Sequence, residues 1–159
     1  MTATQKIAPA LHFSVQFGAG IRKDAWPLSL PRMRRMALAC IPAKCHSAEI
    51  HLLIASGQEA QSLNRDYRGK KYTPNVLTFA YQGPPEIKAD LVICRPVAAH
   101  EAKAQGKLLE HHLAHLLVHG ILHASGLDHQ ESDEAEAMES LEVAILRRFR
   151  ISNPYLSTG

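Results

Sequence analysis

The stretch Leu108–His129, LLEHHLAHLLVHGILHASGLDH, decides how this chain is read. From Leu108 to Ser125 it carries the strongest helical pattern in the sequence, expected to be central and partly buried. His119 and His123 are four residues apart, so on a helix they stand about 6 Å apart along the axis and within roughly 40° of one face. Two imidazoles placed in this way can share one metal ion. Gly126 suits the left-handed conformation that ends helices, and a fold-back after it would carry His129 over the same point. Three protein ligands leave the fourth position of a zinc ion for water, the arrangement of catalytic rather than structural zinc sites. Metal-assisted hydrolysis is the chemistry this pattern implies.

Six of the ten histidines fall between positions 111 and 129. On a helical wheel His112, His115, His119 and His123 project within about 80° of one another. His112 and His115 lie too far upstream to ligate together with both later histidines, and are expected beside the cleft or behind the ligands. Asp128 either orients a ligand imidazole through its free ring nitrogen or caps the turn. The His-x3-His-x5-His spacing is similar to that of metzincin proteases, but Gly120 stands where those enzymes carry glutamate. Glycine cannot take a proton, so peptide hydrolysis by that route is disfavoured.

A second constellation, Leu63-Asn64-Arg65-Asp66-Tyr67-Arg68-Gly69-Lys70-Lys71, places a basic patch and an aromatic ring at the end of a helix. A guanidinium can hold two phosphate oxygens and stabilise the charge that grows in a phosphoryl transition state. Arg32, Arg34 and Arg35, with Arg147, Arg148 and Arg150, could extend an electropositive track, or could be ordinary surface charge. The net charge of +3 permits an anionic partner without demanding one.

The remaining segments build an α+β frame. Leu11–Phe17 alternates as a half-buried strand, and Arg32–Ile41 reads as a short amphipathic helix stopped by Pro42. Ala48–Ala55 is an apolar strand. Ser56 caps a helix running to about Tyr67, with Glu59 completing a capping box. Val76–Ala80 and Leu91–Cys94 are short strands on either side of Gly83-Pro84-Pro85. Gly106 interrupts a weaker helical stretch, and a last helix from about Ser132 to Phe149 opens on acids and closes on arginines. With no internal repeat or linker, one domain over residues 1–159 is expected, a small mainly four-stranded mixed sheet packed against about five helices. A chain of 159 residues can bury about 70% of its unfolded surface, so the metal need not hold the fold together. Cys40, Cys45 and Cys94 match no zinc or redox spacing. The N-terminus lacks the order of a signal peptide and no run of 18 apolar residues occurs, so a cytoplasmic protein without membrane association is expected.

Several separated blocks together resemble the YbeY family of bacterial ribosomal RNA maturation factors, which are metal-dependent endoribonucleases specific for single strands. Residues 119–129 fit the family's His-Gly-x-Leu-His-x-x-Gly-x-Asp-His signature at each specified position. Leu63-Asn64 with Tyr67-Arg68, and Thr73 with Asn75-Val76-Leu77-Thr78-Phe79, resemble its Leu-Asn-x-x-Tyr-Arg segment and the strand that follows. Asp90–Cys94, the acidic run Glu134–Glu139 with Glu142, and Pro154-Tyr155 are also similar. Asn75 replaces the usual aspartate, Thr78 the serine, Ala89 a glycine and Leu127 an aromatic. The first 45 or so residues carry no specific match.

The resemblance implies one zinc ion per chain held by His119, His123 and His129, with Arg68 as the functional arginine facing the cleft. It implies single-stranded RNA as substrate, ribosomal RNA and ribosomal subunits as partners, and roles in RNA 3′-end maturation, ribosome assembly and quality control. The nucleophile would be a water or an RNA 2′-hydroxyl, with the general base unassigned. Nickel or copper could also occupy three imidazoles. The alternatives are a non-catalytic ribosome-assembly factor with a structural metal and, behind it, a metalloprotease or amidase.

Overall fold

The computed structural model of the chain describes residues 8–127 and 132–156. Four strands and five α-helices follow the order β1 (Ala10–Phe17), α1 (Leu30–Cys40), β2 (Ser47–Ala55), α2 (Gly57–Arg68), β3 (Val76–Gln82), β4 (Glu86–Cys94), α3 (Arg95–Ala104), α4 (Leu109–Ala124) and α5 (Ser132–Arg148). A single 3₁₀ turn at Lys23–Ala25 punctuates the loop before α1. The strands form one mixed sheet in the order β1-β2-β4-β3. β1, β2 and β4 run parallel, and β3 closes one edge antiparallel to β4. This is the expected α+β architecture.

Period-2 alternation sorts each strand between two faces. Leu11 and Phe13 of β1, Ile50, Leu52 and Ile54 of β2, and Ile87, Leu91 and Ile93 of β4 face a core shared with Met33 and Met36 of α1, Leu113, Leu117 and Ile121 of α4, and Ile145 and Leu146 of α5. The opposite face is covered only in part, where Ala60 of α2 packs with Ala55, Leu77, Val92 and Cys94. Ten of the sixteen residues of α4 are buried, which makes it the central helix.

Boundaries moved where local chemistry outranked hydrophobic pattern. α1 begins before Arg32 because Ser29 Oγ accepts the Arg32 N–H at 3.3 Å and Pro31 sits in the first turn, where its missing donor costs nothing. β4 begins at Glu86 rather than Leu91, since Glu86, Lys88 and Asp90 alternate with the buried Ile87 and Ala89. Ser56 caps α2 as expected, its Oγ accepting the Glu59 N–H at 3.2 Å.

Candidate metal centre

α4 carries His119 and His123 past the β3 edge of the sheet. Gly120, between them, is buried against the sheet: a Cβ there would stand 2.6 Å from Leu91 Cδ2 and 3.4 Å from Thr78 Oγ1. Thr78 also donates its hydroxyl to the Gly120 carbonyl at 3.4 Å. The position occupied by glutamate in the similar protease pattern is thus a helix-to-sheet contact, and glycine is the residue that lets α4 approach so closely. His119 and His123 lie to the side of this contact and are half-buried.

Behind them stands Glu142 of α5, whose side chain is wholly buried. It accepts from His119 Nδ1 at 2.5 Å, from His115 Nε2 at 3.0 Å, and from the Tyr155 hydroxyl. Burial alone would raise this carboxyl, but the hydrogen bonds from His115, His119 and Tyr155 outweigh it and hold the pKa at about 2. Glu142 is therefore a carboxylate and can only accept, which places a proton on Nδ1 of His119. In a neutral His119 that makes Nε2 the acceptor nitrogen of the ring. A carboxylate on the outer nitrogen is the usual support of a metal-binding histidine. Burial and the neighbouring Glu142 push the Tyr155 phenol above its ordinary range, so it stays protonated and donates.

His112 and His115 lie behind His119 on the same helix. His112 Nε2 pairs with Glu101 Oε1 of α3 at 3.0 Å, and His115 lies between His112 and His119 with ring centroids 6.3 Å from each. Glu101 also accepts from Asn75 Nδ2, at 3.1 and 3.3 Å from its two oxygens, while Asn75 Oδ1 accepts the Val76 N–H at 2.7 Å. An amide can donate to Glu101 and still cap the first residue of β3. An aspartate at position 75 would keep the cap but set two carboxylates together, so asparagine suits this chain's own partner.

α4 ends as its sequence requires. Gly126 takes φ +100°, and the Gly126 and Leu127 amides return to the carbonyls of His123 and Leu122 at 3.1 and 3.2 Å. Asp128 and His129 lie outside the described residues. Among the described residues no group of three His, Cys, Asp or Glu side chains could hold a metal ion. The donor chemistry nevertheless fits zinc: two imidazoles four residues apart on one helix, one with its outer nitrogen on a buried carboxylate. All three cysteines are buried, free thiols.

Arg68 is the exposed last residue of α2, and Gly69 follows it at φ +67°. The preceding Tyr67 packs edge-on against Phe79, with ring centroids 5.9 Å apart. Phe79 and Thr78 are successive residues of β3 and point to opposite faces, so the end of α2 and Gly120 of α4 meet the edge strand from opposite sides. The structure brings His115, His119 and Glu142 together; Arg68 ends α2, which packs on the opposite face of the sheet from α4. Glu142 and Tyr155 went unassigned in the sequence because nothing local marks a carboxylate on an acidic helix as buried. Their only signal was membership of the similar C-terminal block.

The fold is an α+β one whose central helix carries two histidines four residues apart, His119 hydrogen-bonded to a buried carboxylate. The family model described as Endoribonuclease YbeY matches residues 30–150. Among relatives named Endoribonuclease YbeY, that of Thiobacillus denitrificans is 48% identical over 153 residues, spanning 95% of this chain and 100% of the relative. That of Albidiferax ferrireducens is also 48% identical, over 91% of this chain and 97% of the relative. The solution structure of TM1509 from Thermotoga maritima shares the fold, with a TM-score of 0.57 at 19% identity over 92% of this chain and 99% of that one. The chain belongs to the YbeY family. The likeness reaches further toward the N-terminus than the motifs indicated, since the family match already begins at residue 30.

Proposed function

We propose that this chain is an endoribonuclease that hydrolyses phosphodiesters of single-stranded RNA in the maturation of ribosomal RNA ends, and so serves ribosome assembly and quality control. The observation that carries the reading is the hydrogen bond from His119 Nδ1 to the buried Glu142, on a chain whose family is named for RNA cleavage. His119, His123 and His129 would hold one zinc ion, which when bound supplies Lewis acidity toward a phosphodiester.

The protein's own groups do the rest. Glu142 fixes the tautomer and direction of His119, and it is itself fixed by His115 and Tyr155. Gly120 seats α4 on the sheet and leaves no room for a general base at that position, which speaks against the peptidase alternative. Arg68, exposed and followed closely by Lys70 and Lys71, would engage a phosphate oxygen and neutralise charge as phosphorus becomes pentavalent. No helix among the described residues is long and apolar enough to cross a membrane.

The test is cleavage of an unpaired ribosomal RNA fragment by wild type and Arg68→Ala, both prepared free of contaminating nuclease. Arg68→Ala is expected to keep the wild-type thermal melt and lose about 10²-fold in rate. Cleavage at the wild-type rate by the folded variant would remove Arg68 from the chemistry. A wild type that binds metal without cutting RNA would move the assembly-factor reading ahead.

A further inference from the structure

A groove of about 570 Å³ lies between α1 and the end of α5, lined by Arg32, Arg35, Arg148, Phe149 and Arg150 over Leu38, and no carboxylate lines it. Arg32 is fixed in its wall. Its Nη2 donates to the Phe149 carbonyl at 3.0 Å, its guanidinium lies 5.7 Å from the Phe149 ring centroid, and its Nε faces Glu110 at 3.5 Å. Arg35, Arg148 and Arg150 are exposed.

A second observation concerns the backbone. α4 and α5 end in the same hydrogen-bond pattern: Leu127 and Gly126 return to Leu122 and His123, and Ile151 and Arg150 return to Leu146 and Arg147. At α4 the left-handed position is Gly126, and beyond α2 it is Gly69. At α5 it is Arg150, with φ +62°, the one positive-φ residue other than glycine among the described residues. A β-carbon disfavours that conformation, and glycine fills it without strain. Attraction of a cation to the helix dipole does not account for it, since Arg147 and Arg148 already supply that charge from within the last turn. The strained position keeps a side chain that lines the groove.

We propose that this groove is a second RNA-binding site, in which Arg35, Arg148 and Arg150 hold successive backbone phosphates of the strand being cut. The proposal rests on the endoribonuclease reading and deepens it. Guanidinium forks match phosphate oxygens in pairs, and three exposed cations outweigh the roughly half negative charge of a helix C-terminus. Glu110, beside Arg32, precedes His119 and His123 on α4 by nine and thirteen residues, about 14 and 20 Å along the helix. One strand several nucleotides long can therefore occupy both places.

The experiment is fluorescence anisotropy of a labelled 20-nucleotide unpaired RNA with the full chain across a salt series, with a gel checking that the RNA stays intact. Arg35→Gln/Arg148→Gln/Arg150→Gln is expected to bind about tenfold more weakly and to flatten the slope of log Kd against log salt by about 2, near 0.7 for each phosphate no longer neutralised. Lys44→Gln/Lys88→Gln/Lys103→Gln removes equal charge outside the groove and is expected to keep the wild-type slope. Arg150→Gly relieves the backbone and removes the cation together, so it is expected to melt a few degrees higher while binding RNA about threefold more weakly.

An unchanged slope in the arginine variant would overturn the groove, as would an equal loss in the lysine variant or full affinity in Arg150→Gly. An arginine variant that kept RNA but lost a polyglutamate peptide bound by wild type would assign the groove to an acidic protein and overturn it too. Wild type that cuts RNA beside an unchanged arginine variant sinks the groove alone, whereas wild type that neither binds nor cuts sinks the endoribonuclease reading with it.

Discussion

At the scale of single residues, Glu142 does the most with the least exposure. A carboxylate taken wholly out of water costs several kcal/mol unless its lone pairs are met. Here His115, His119 and Tyr155 meet them from two other segments of the chain. Because the folded carboxyl titrates at about 2, below its ordinary value of 4.5, its contribution to stability in the metal-free protein is fully present above pH 4.5 and is lost as the pH falls toward 2. Glu142→Gln should flatten that acid limb, measured by urea unfolding between pH 2 and 7. The variant should also cost about 2–3 kcal/mol at neutral pH and weaken metal affinity about 10- to 100-fold. Unchanged metal affinity with lowered stability would leave Glu142 a packing group only.

Elements meet because small residues allow it. α4 can lie against Leu91 and Thr78 only where Gly120 has no β-carbon. Gly120→Ala gains about 1 kcal/mol of helix propensity but must push aside the buried Leu91, for which overpacking costs of about 1–3 kcal/mol are usual. The net expectation is a loss of up to about 2 kcal/mol by urea unfolding, and a stabilised variant would mean that the contact is slack. The helices and their faces were legible in the sequence because periodicity reports burial directly. The Gly126 terminus was legible because few residues other than glycine accept positive φ. Asp128, a ligand support or a turn cap by sequence, lies outside the described residues, and His119 Nδ1 is held by Glu142, on another helix. A partner brought by tertiary packing leaves no local pattern. The role of Asn75 was likewise unreadable until Glu101 stood opposite it.

Over the whole molecule the sheet divides the work. Its inner face is closed by α1, α4 and α5 into a continuous apolar core, which fixes the axis of α4 and with it the histidine pair. Among the described residues its outer face is covered around α2, whose end reaches the edge strand through the Tyr67 ring on Phe79. Metal-dependent RNA cleavage is tested by metal content per chain, by mass spectrometry, measured beside cleavage of a single-stranded ribosomal RNA fragment for wild type and folded His123→Ala. One ion per wild-type chain with cleavage, and the loss of both in the variant, is the expected result; a His123→Ala protein that still cut at the wild-type rate, or a metal-free wild type that did so, would rule out a metal-dependent ribonuclease.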